Sequence, residues 1–354
     1  MTTVLETPAG TGGPSLGEPW TRTGLVLRRS PSGSGCDVVG DPCIVWDPHV
    51  SAWRMVLFFD PPGHADCVSH DPTGAPGSWS QPQPLRFTNP EALPPGGGTQ
   101  KPFIVMDAHR PNQAALVDDR YWLVSVSYVG QAREKRIQRA WARSLAGPWT
   151  LEDGDLIARG GPGEFDENHV DAVSGYWFDD RQQFLYFYMG YPLTPQPWGC
   201  SPYGNAIGTA TQRPGEAAVK TGIAIAPADD PASWACGYLG GLQLLPGREH
   251  RWIGVINGSP TAPDRSGAPS CEEPAPSLGG LAYTDAEFPT SGWVVADRPF
   301  ETIAEIPAAA LAAGEGVNLW RHHLLVAPGV ERLFYNSGAY GHEQLYSKQR
   351  IAGS

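Results

Sequence analysis

Carboxylates crowd one short stretch of this chain. Between Phe165 and Tyr191, FDENHVDAVSGYWFDDRQQFLYFYMGY, Asp166, Glu167 and Asp171 surround His169, and Asp179 follows before an apolar run from Phe184 to Met189. Bulky aromatic runs of this kind suit a strand packed between sheets. The pattern reads as an acidic strand, a turn at Asp179-Asp180-Arg181, and an apolar strand returning. Burying an unpaired charge is costly. The carboxylates therefore either lie in a solvated loop before the strand or face a ligand, and a crowd of them supplies the negative setting that keeps a catalytic acid protonated. Histidine recurs as well: His109, His169, His250 and the pair His322-His323 stand at the heads of strand-like runs. Each alone reads as a polar group satisfied inside the fold. Together they could ring a channel and hold a metal or a ligand hydroxyl.

The elements that must position these groups are short strands. The chain has 354 residues, 43 glycines, 36 prolines, 13 tryptophans and only 18% charged residues. That composition suits many strands and turns and argues against a helical bundle or a disordered chain. A net charge of -12 argues against nucleic-acid binding, which needs concentrated positive charge. The cluster Arg133, Lys135, Arg136 and Arg139 reads instead as a solvated strand edge. No apolar stretch approaches the ~20 residues of a membrane span. The opening MTTVLETPAGTGGPSLGEPW lacks a basic start and an apolar core, so no secretory signal is expected. Residues 1–25 read as a loose lead-in and residues 26–354 as one domain. The six cysteines, Cys36, Cys43, Cys67, Cys200, Cys236 and Cys271, form no CxxC pair. They read as free thiols of a reducing compartment, which makes a cytoplasmic setting the expectation.

Internal repetition organises the strands. The first unit runs DPCIVWDPHVSAWRMVLFFD from Asp41 and closes with GSW at Trp79; the second runs HRPNQAALVDDRYWLVSVSY from His109 and closes with GPW at Trp149. A third starts near His169, a fourth runs HRWIGVINGSP from His250 to SGW at Trp293, and a fifth runs LWRHHLLVAPGVERLFYNSG from Leu319. Each holds a first strand, a turn rich in Asp, Gly or Arg, a strand of large apolar residues, and a strand of small ones. Units of ~40–50 residues in this order mark β-propeller blades. The expectation is an all-β, five-bladed propeller of four-stranded antiparallel blades, its fifth blade completed by a strand from the other terminus. A two-sheet sandwich would explain the strands but not their recurring order.

DPCIVWDPHVSAWRMVLFF, RPNQAALVDDRYWLVSVSY followed by AGPW, and the VDA at 170–172 together resemble the five-bladed propeller glycosidases, glycoside hydrolase family 43 and its relatives. The Asn-Asp-Pro-Asn-Gly and Arg-Asp-Pro motifs of the fructosidase relatives are absent. The resemblance implies a base Asp in the first blade, a tuning Asp in the second and an acid Glu in the third. Asp41, before Pro42, matches the base, with Asp47 as the fallback. In the second blade Asn112 stands where the Asp is expected and cannot ionise, leaving Asp107 as a substitute from a loop. In the third, Asp171 stands where Glu is expected and Glu167 could reach in from the rim. His109, His169, Asn112, Asp107 and Arg321 are then candidate substrate contacts. Trp46, Trp53, Trp198, Trp252 and Trp320 are candidate sugar platforms, Trp198 foremost, whereas Trp79, Trp149 and Trp293 read as packing. No cofactor is required, and the resemblance sets a possible structural calcium near a channel histidine, His323. The implied activity is an inverting glycosidase acting on an oligosaccharide or a sugar-containing small molecule. Asn112 and Asp171 depart from the pattern and keep a second reading open: a propeller repurposed for sugar binding or for another reaction.

Overall fold

Alternating apolar residues separated by Asp- and Gly-rich turns form antiparallel hairpins, since turn chemistry and a two-residue side-chain period select that pairing. The computed structural model describes residues 20–29, 38–59, 63–92, 99–129, 134–260, 277–312, 314–316, 319–339 and 341–351. Cys36 and Cys271 lie outside them. The strands make five sheets in a ring, a five-bladed β-propeller. The inner strands are Val39–Asp47, Thr99–Ile104, His169–Phe178, Tyr238–Pro246 and Leu319–Ala327 for blades one to five. Blade three carries an extra short strand, Met106–Asp107, parallel to its inner strand. Blade five closes the ring: Thr21–Leu27 pairs with Gln344–Ile351. The blade thus begins before residue 26, so the lead-in is shorter than the sequence suggests. Among the described residues the only α-helix is Ala308–Ala312.

Large side chains fill the spaces between blades. Trp53, Trp149, Trp252, Tyr176, Phe184 and Phe187 are fully buried. Burying a Phe-sized side chain contributes roughly 1.5–3 kcal/mol. Trp46 packs edge-on against Trp53, so these and Trp252 belong to the packing.

In two blades the structural repeat is out of phase with the sequence units. Blade two's inner strand is Thr99–Ile104 rather than the segment after His109, and blade four's is Tyr238–Pro246 rather than the segment after His250. Lys-Pro and Gly-Gly steps open these strands and disguise them, because both pairs are poor strand formers. Cys200 and Cys236 are joined in a disulfide, correcting the free-thiol expectation for that pair; Cys43 and Cys67 are free and buried.

Each inner strand breaks its ladder once, near its head, at a residue of positive φ: Asp41 (52°), Lys101 (52°), Ala172 (49°), Gly241 (58°) and Arg321 (46°). Register shifts fall at the same five places. Such a bulge re-aims a side chain, and a non-glycine residue held there costs of order 1–3 kcal/mol. Two of these bulges are held by an asparagine of the preceding blade. Asn336 Oδ1 accepts from Asp41 N at 2.7 Å, and Asn257 Oδ1 accepts from Arg321 N at 2.9 Å. Gly40 is required for the first, because a Cβ there would lie 2.2 Å from Asn336 Cγ.

Candidate active site at the propeller mouth

The bulges gather charge at one end of the ring. Asp41 is buried, its Oδ1 accepting from Asn336 Nδ2 at 3.2 Å and lying 4.0 Å from Arg321 Nε. Arg321 reaches across the axis to blade three, donating to the carbonyls of Ala172 at 3.0 Å and Val173 at 3.2 Å. Lys101, at the bulge of blade two, donates to both oxygens of Asp171 at 2.7 and 2.9 Å. Lys135 adds a bond to Asp171 Oδ2 at 2.5 Å and the Tyr191 hydroxyl another at 3.2 Å. Burial alone would raise the Asp171 carboxyl, but the two lysines outweigh it and hold the group far below the usual carboxylate range. Burial would likewise lower Lys101, yet Asp171, with smaller help from Tyr191 and Asp41, raises it. Asp171 is therefore locked as an anion and has no proton to give.

A different carboxyl does. Glu343 stands just before the strand Gln344–Ile351, and its carbonyl accepts from Val39 N at 3.0 Å, two residues from Asp41. Its side chain is buried and Oε2 has no hydrogen-bond partner among the described residues. Burial, abetted by the charge of Asp41, pushes its carboxyl up to about 7 against the pull of backbone N–H groups and Lys101. Trp320, beside Arg321, stacks on Tyr238 with ring centroids 5.8 Å apart, and its indole N–H has no partner among the described residues.

The other sequence candidates fall into three places. Asn112 and His323 lie in the channel below the mouth. Asn112 Nδ2 donates to the carbonyls of Ile44 and Leu324, both at 3.1 Å, and its Oδ1 accepts from Val326 N at 2.9 Å. His323 Nε2 accepts from Ile44 N at 3.2 Å and lies 3.0 Å from Asn112 Nδ2. Asn112 is thus a tie between blades and does not occupy the position equivalent to Asp41, which is Lys101. Asp107 and His109 sit at the opposite end of the ring, because Asp107 pairs with Trp177, six positions or ~20 Å along the strand from Asp171. Asp107 Oδ1 caps His109 N at 2.9 Å, and His109 faces Asp180 at 3.6 Å on the surface. The expected ring of His109, His169 and His323 does not form.

The rim holds the rest. His169 heads blade three, its Nδ1 accepting from Lys135 N at 3.3 Å. Glu167 accepts from the backbone of Gly163 at 2.7 Å and Leu193 at 2.8 Å, and from Thr194. The Gly163 bond foremost, with those of Thr194 and Leu193, lowers its pKa. Glu167 thus staples two loops. Asp166 pairs with Lys220 at 2.7 Å and Tyr188 at 3.0 Å. Trp198 is half-buried in the loop that the Cys200–Cys236 disulfide ties to the segment before blade four, its indole donating to Gly204 O at 3.3 Å.

His323 is enclosed by uncharged polar groups and one guanidinium. Its ring is held neutral, burial lowering its pKa to about 3, and its neighbours are the carboxamides of Asn112 and Gln243 and the charge of Arg321. Among the described residues no three His, Cys, Asp or Glu side chains cluster as metal ligands.

Two residues central to this geometry escaped sequence reasoning. For Lys101 a signal existed: Lys101-Pro102-Phe103-Ile104-Val105 repeats Asp41-Pro42-Cys43-Ile44-Val45. For Glu343 none did, since it sits in a turn of blade five and meets Asp41 only through ring closure.

A scan against protein-family models and a search of curated proteins both find no match. Solved structures do match. A glycoside hydrolase superposes with a TM-score of 0.67 at 11% identity, over 94% of this chain and 93% of the other. A thermostable family-43 glycoside hydrolase gives 0.55 at 13%, over 89% and 93%. An α-L-arabinofuranosidase from Podospora anserina in complex with cellotriose gives 0.57 at 12%, over 95% and 97%. The chain has the propeller fold of these glycoside hydrolases.

Proposed function

We propose that this chain is a carbohydrate-active hydrolase that cleaves a glycosidic bond at the mouth of its propeller, with Asp41 as base and Glu343 as acid. The observation that carries the reading is the Glu343 carboxyl: buried, one oxygen unpartnered, its pKa raised to about 7, and set beside Asp41. A carboxyl held protonated near neutral pH, with a second carboxyl nearby to serve as base, is what glycoside hydrolysis requires. In an inverting enzyme Asp41 would deprotonate water while Glu343 protonates the leaving oxygen. Asp171 serves instead to hold Lys101 and Lys135. The substrate is an oligosaccharide or a sugar-bearing small molecule, for which the half-buried Trp320 offers an aromatic face.

Asp41→Asn is expected to lower kcat by about 10²–10⁴ with substrate still bound. Glu343→Gln is expected to slow substrates with poor leaving groups far more than activated aryl glycosides, because only the former need the proton. Proton NMR of the first-formed anomer reads the stereochemistry: inversion supports single displacement, and retention would replace it with a covalent route. The locked anion of Asp171 favours a second reading, a propeller that binds sugars without cleaving them. Saturable sugar binding with no turnover across a glycoside panel would select it.

A further inference from the structure

Two asparagines do the same backbone work in this ring, and one of them does more. Asn257 and Asn336 lie buried on the second strands of blades four and five, Trp252–Ser259 and Val330–Ser337. Each reaches the bulge on the next blade's inner strand. There its Oδ1 accepts from the backbone N–H of Arg321 at 2.9 Å or of Asp41 at 2.7 Å. That bond settles which way each carboxamide faces, because a backbone N–H only donates and must meet the oxygen. The amide nitrogens then differ. Asn257 Nδ2 turns to backbone, donating to Leu319 O at 2.7 Å, and lies 3.1 Å from His322 Nδ1. Asn336 Nδ2 turns to a side chain, donating to Asp41 Oδ1 at 3.2 Å.

Holding a bulge needs only the first of these bonds; the second acts on the Asp41 carboxylate. With its N–H and its Oδ1 both on one carboxamide, Asp41 cannot turn about Cα–Cβ without breaking a bond. Its Oδ2 has no bond among the described residues, so that oxygen is the one left for a ligand. The carboxamide in turn lies against Gly40, where a Cβ would come within 2.2–2.4 Å of Asn336 Cγ, Nδ2 and Oδ1. Arg321 competes for the same oxygen: its Nε stands 4.0 Å from Asp41 Oδ1, too far for a hydrogen bond. A carboxylate released from Asn336 would close that gap, since a bond to a guanidinium is about twice as strong as one to a neutral amide.

We infer that Asn336 is a positioning residue for Asp41, its amide nitrogen holding Oδ1 off Arg321 so that Oδ2 is presented at the mouth. The inference rests on Asp41 as the functional carboxylate there, and it applies whether a bound sugar is cleaved or only held.

Two substitutions in the full chain test it. Asn336→Asp keeps an acceptor for Asp41 N, so the bulge is retained, but it sets a second carboxylate against Oδ1. Carboxylates that close cannot both ionise. On whichever p-nitrophenyl glycoside the chain cleaves best, kcat is expected to fall about 10²-fold with KM little changed. The acidic limb of the kcat profile is expected to move to higher pH, which a merely loosened bulge would not produce. Gly40→Ala displaces the same carboxamide without adding a charge, and is expected to lower kcat as well. Crystal structures of either folded variant at pH 8 read the position itself, with Asp41 Oδ1 expected within ~3 Å of Arg321 Nε. An Asn336→Asp protein with unaltered kcat and acidic limb would overturn the inference, as would an Asp41 carboxylate that has not turned in the crystals. If the parent chain cleaves no glycoside, the hydrolase reading fails and the crystals alone decide the role of Asn336.

Discussion

The floor of the central channel and its mouth are built from similar polar side chains, but their hydrogen bonds end differently. At the floor, Asn112, Gln243 and His323 close on backbone: Gln243 Nε2 donates to Leu324 O at 2.9 Å and its Oε1 accepts from Leu324 N at 2.6 Å, while Asn112 ties blades one and five. Among the described residues no strand ladder crosses between these inner strands, so the carboxamides satisfy backbone groups that would otherwise be buried without partners. At the mouth, charges meet charges, and Glu343 Oε2 and Trp320 Nε1 have no partner among the described residues. Polar burial of the first kind joins blades. Polar burial of the second kind leaves capacity for a ligand.

The sharpest way to break this distinction is to place a carboxylate at the floor. Asn112→Asp cannot donate to the carbonyls of Ile44 and Leu324 and puts a charge where only neutral partners wait. A loss of about 3–5 kcal/mol is expected in urea denaturation, with no gain of activity. At the mouth, Asp41→Asn keeps an acceptor and suits a φ of 52°, so its stability should change by less than ~1 kcal/mol while turnover collapses. A stable, more active Asn112→Asp protein would show that the floor is a degraded catalytic position after all.

The same contrast explains what the sequence could reveal. Five recurring units and their turn chemistry made the propeller legible, because each blade is a local hairpin pattern. Asp41 stood out through its place before Pro42 at the head of a strand. Asn112 and Asp107 were misplaced because a slip in phase exchanges the two ends of a blade, moving a residue by the length of a strand. Asp171 was found, but its role was not, since Lys101 and Lys135 come from the neighbouring blade. Glu343 was invisible for a related reason: 302 positions separate it from Asp41, and only the ring's closure brings them together. Contacts within a blade were readable, and contacts between blades were not.

A smaller effect sharpens the comparison at Glu343. Its carboxyl titrates at 4.5 in an unfolded chain and at about 7 in the fold. Below pH 4.5 both states are protonated and the fold's full stability is present. As pH rises the unfolded chain ionises first, so stability falls until the native group has also ionised, above pH 7. The loss amounts to about 3 kcal/mol by pH 8. Glu343→Gln is expected to remove this part of the pH dependence, read from urea midpoints at pH 4.5, 6 and 8. An unchanged slope in the variant would show that the group titrates normally and has no claim to the acid's role.

The smallest effect is expected at the rim, where Glu167 tests whether proximity to the mouth is enough to make a carboxylate functional. Both of its oxygens are committed to backbone N–H groups of Gly163, Leu193 and Thr194, which hold it ionised, in contrast to the unpartnered oxygen of Glu343. Glu167→Gln retains one acceptor oxygen, so it should loosen the junction of two loops without touching proton transfer. The expected result is a slight fall in thermal midpoint, an unaltered pH–rate profile, and equal activity on substrates with good and poor leaving groups. That equality is what separates a staple from an acid. A Glu167→Gln enzyme that lost poor-leaving-group substrates selectively would transfer the acid's role from Glu343 to the rim and dissolve the line drawn between mouth and staple.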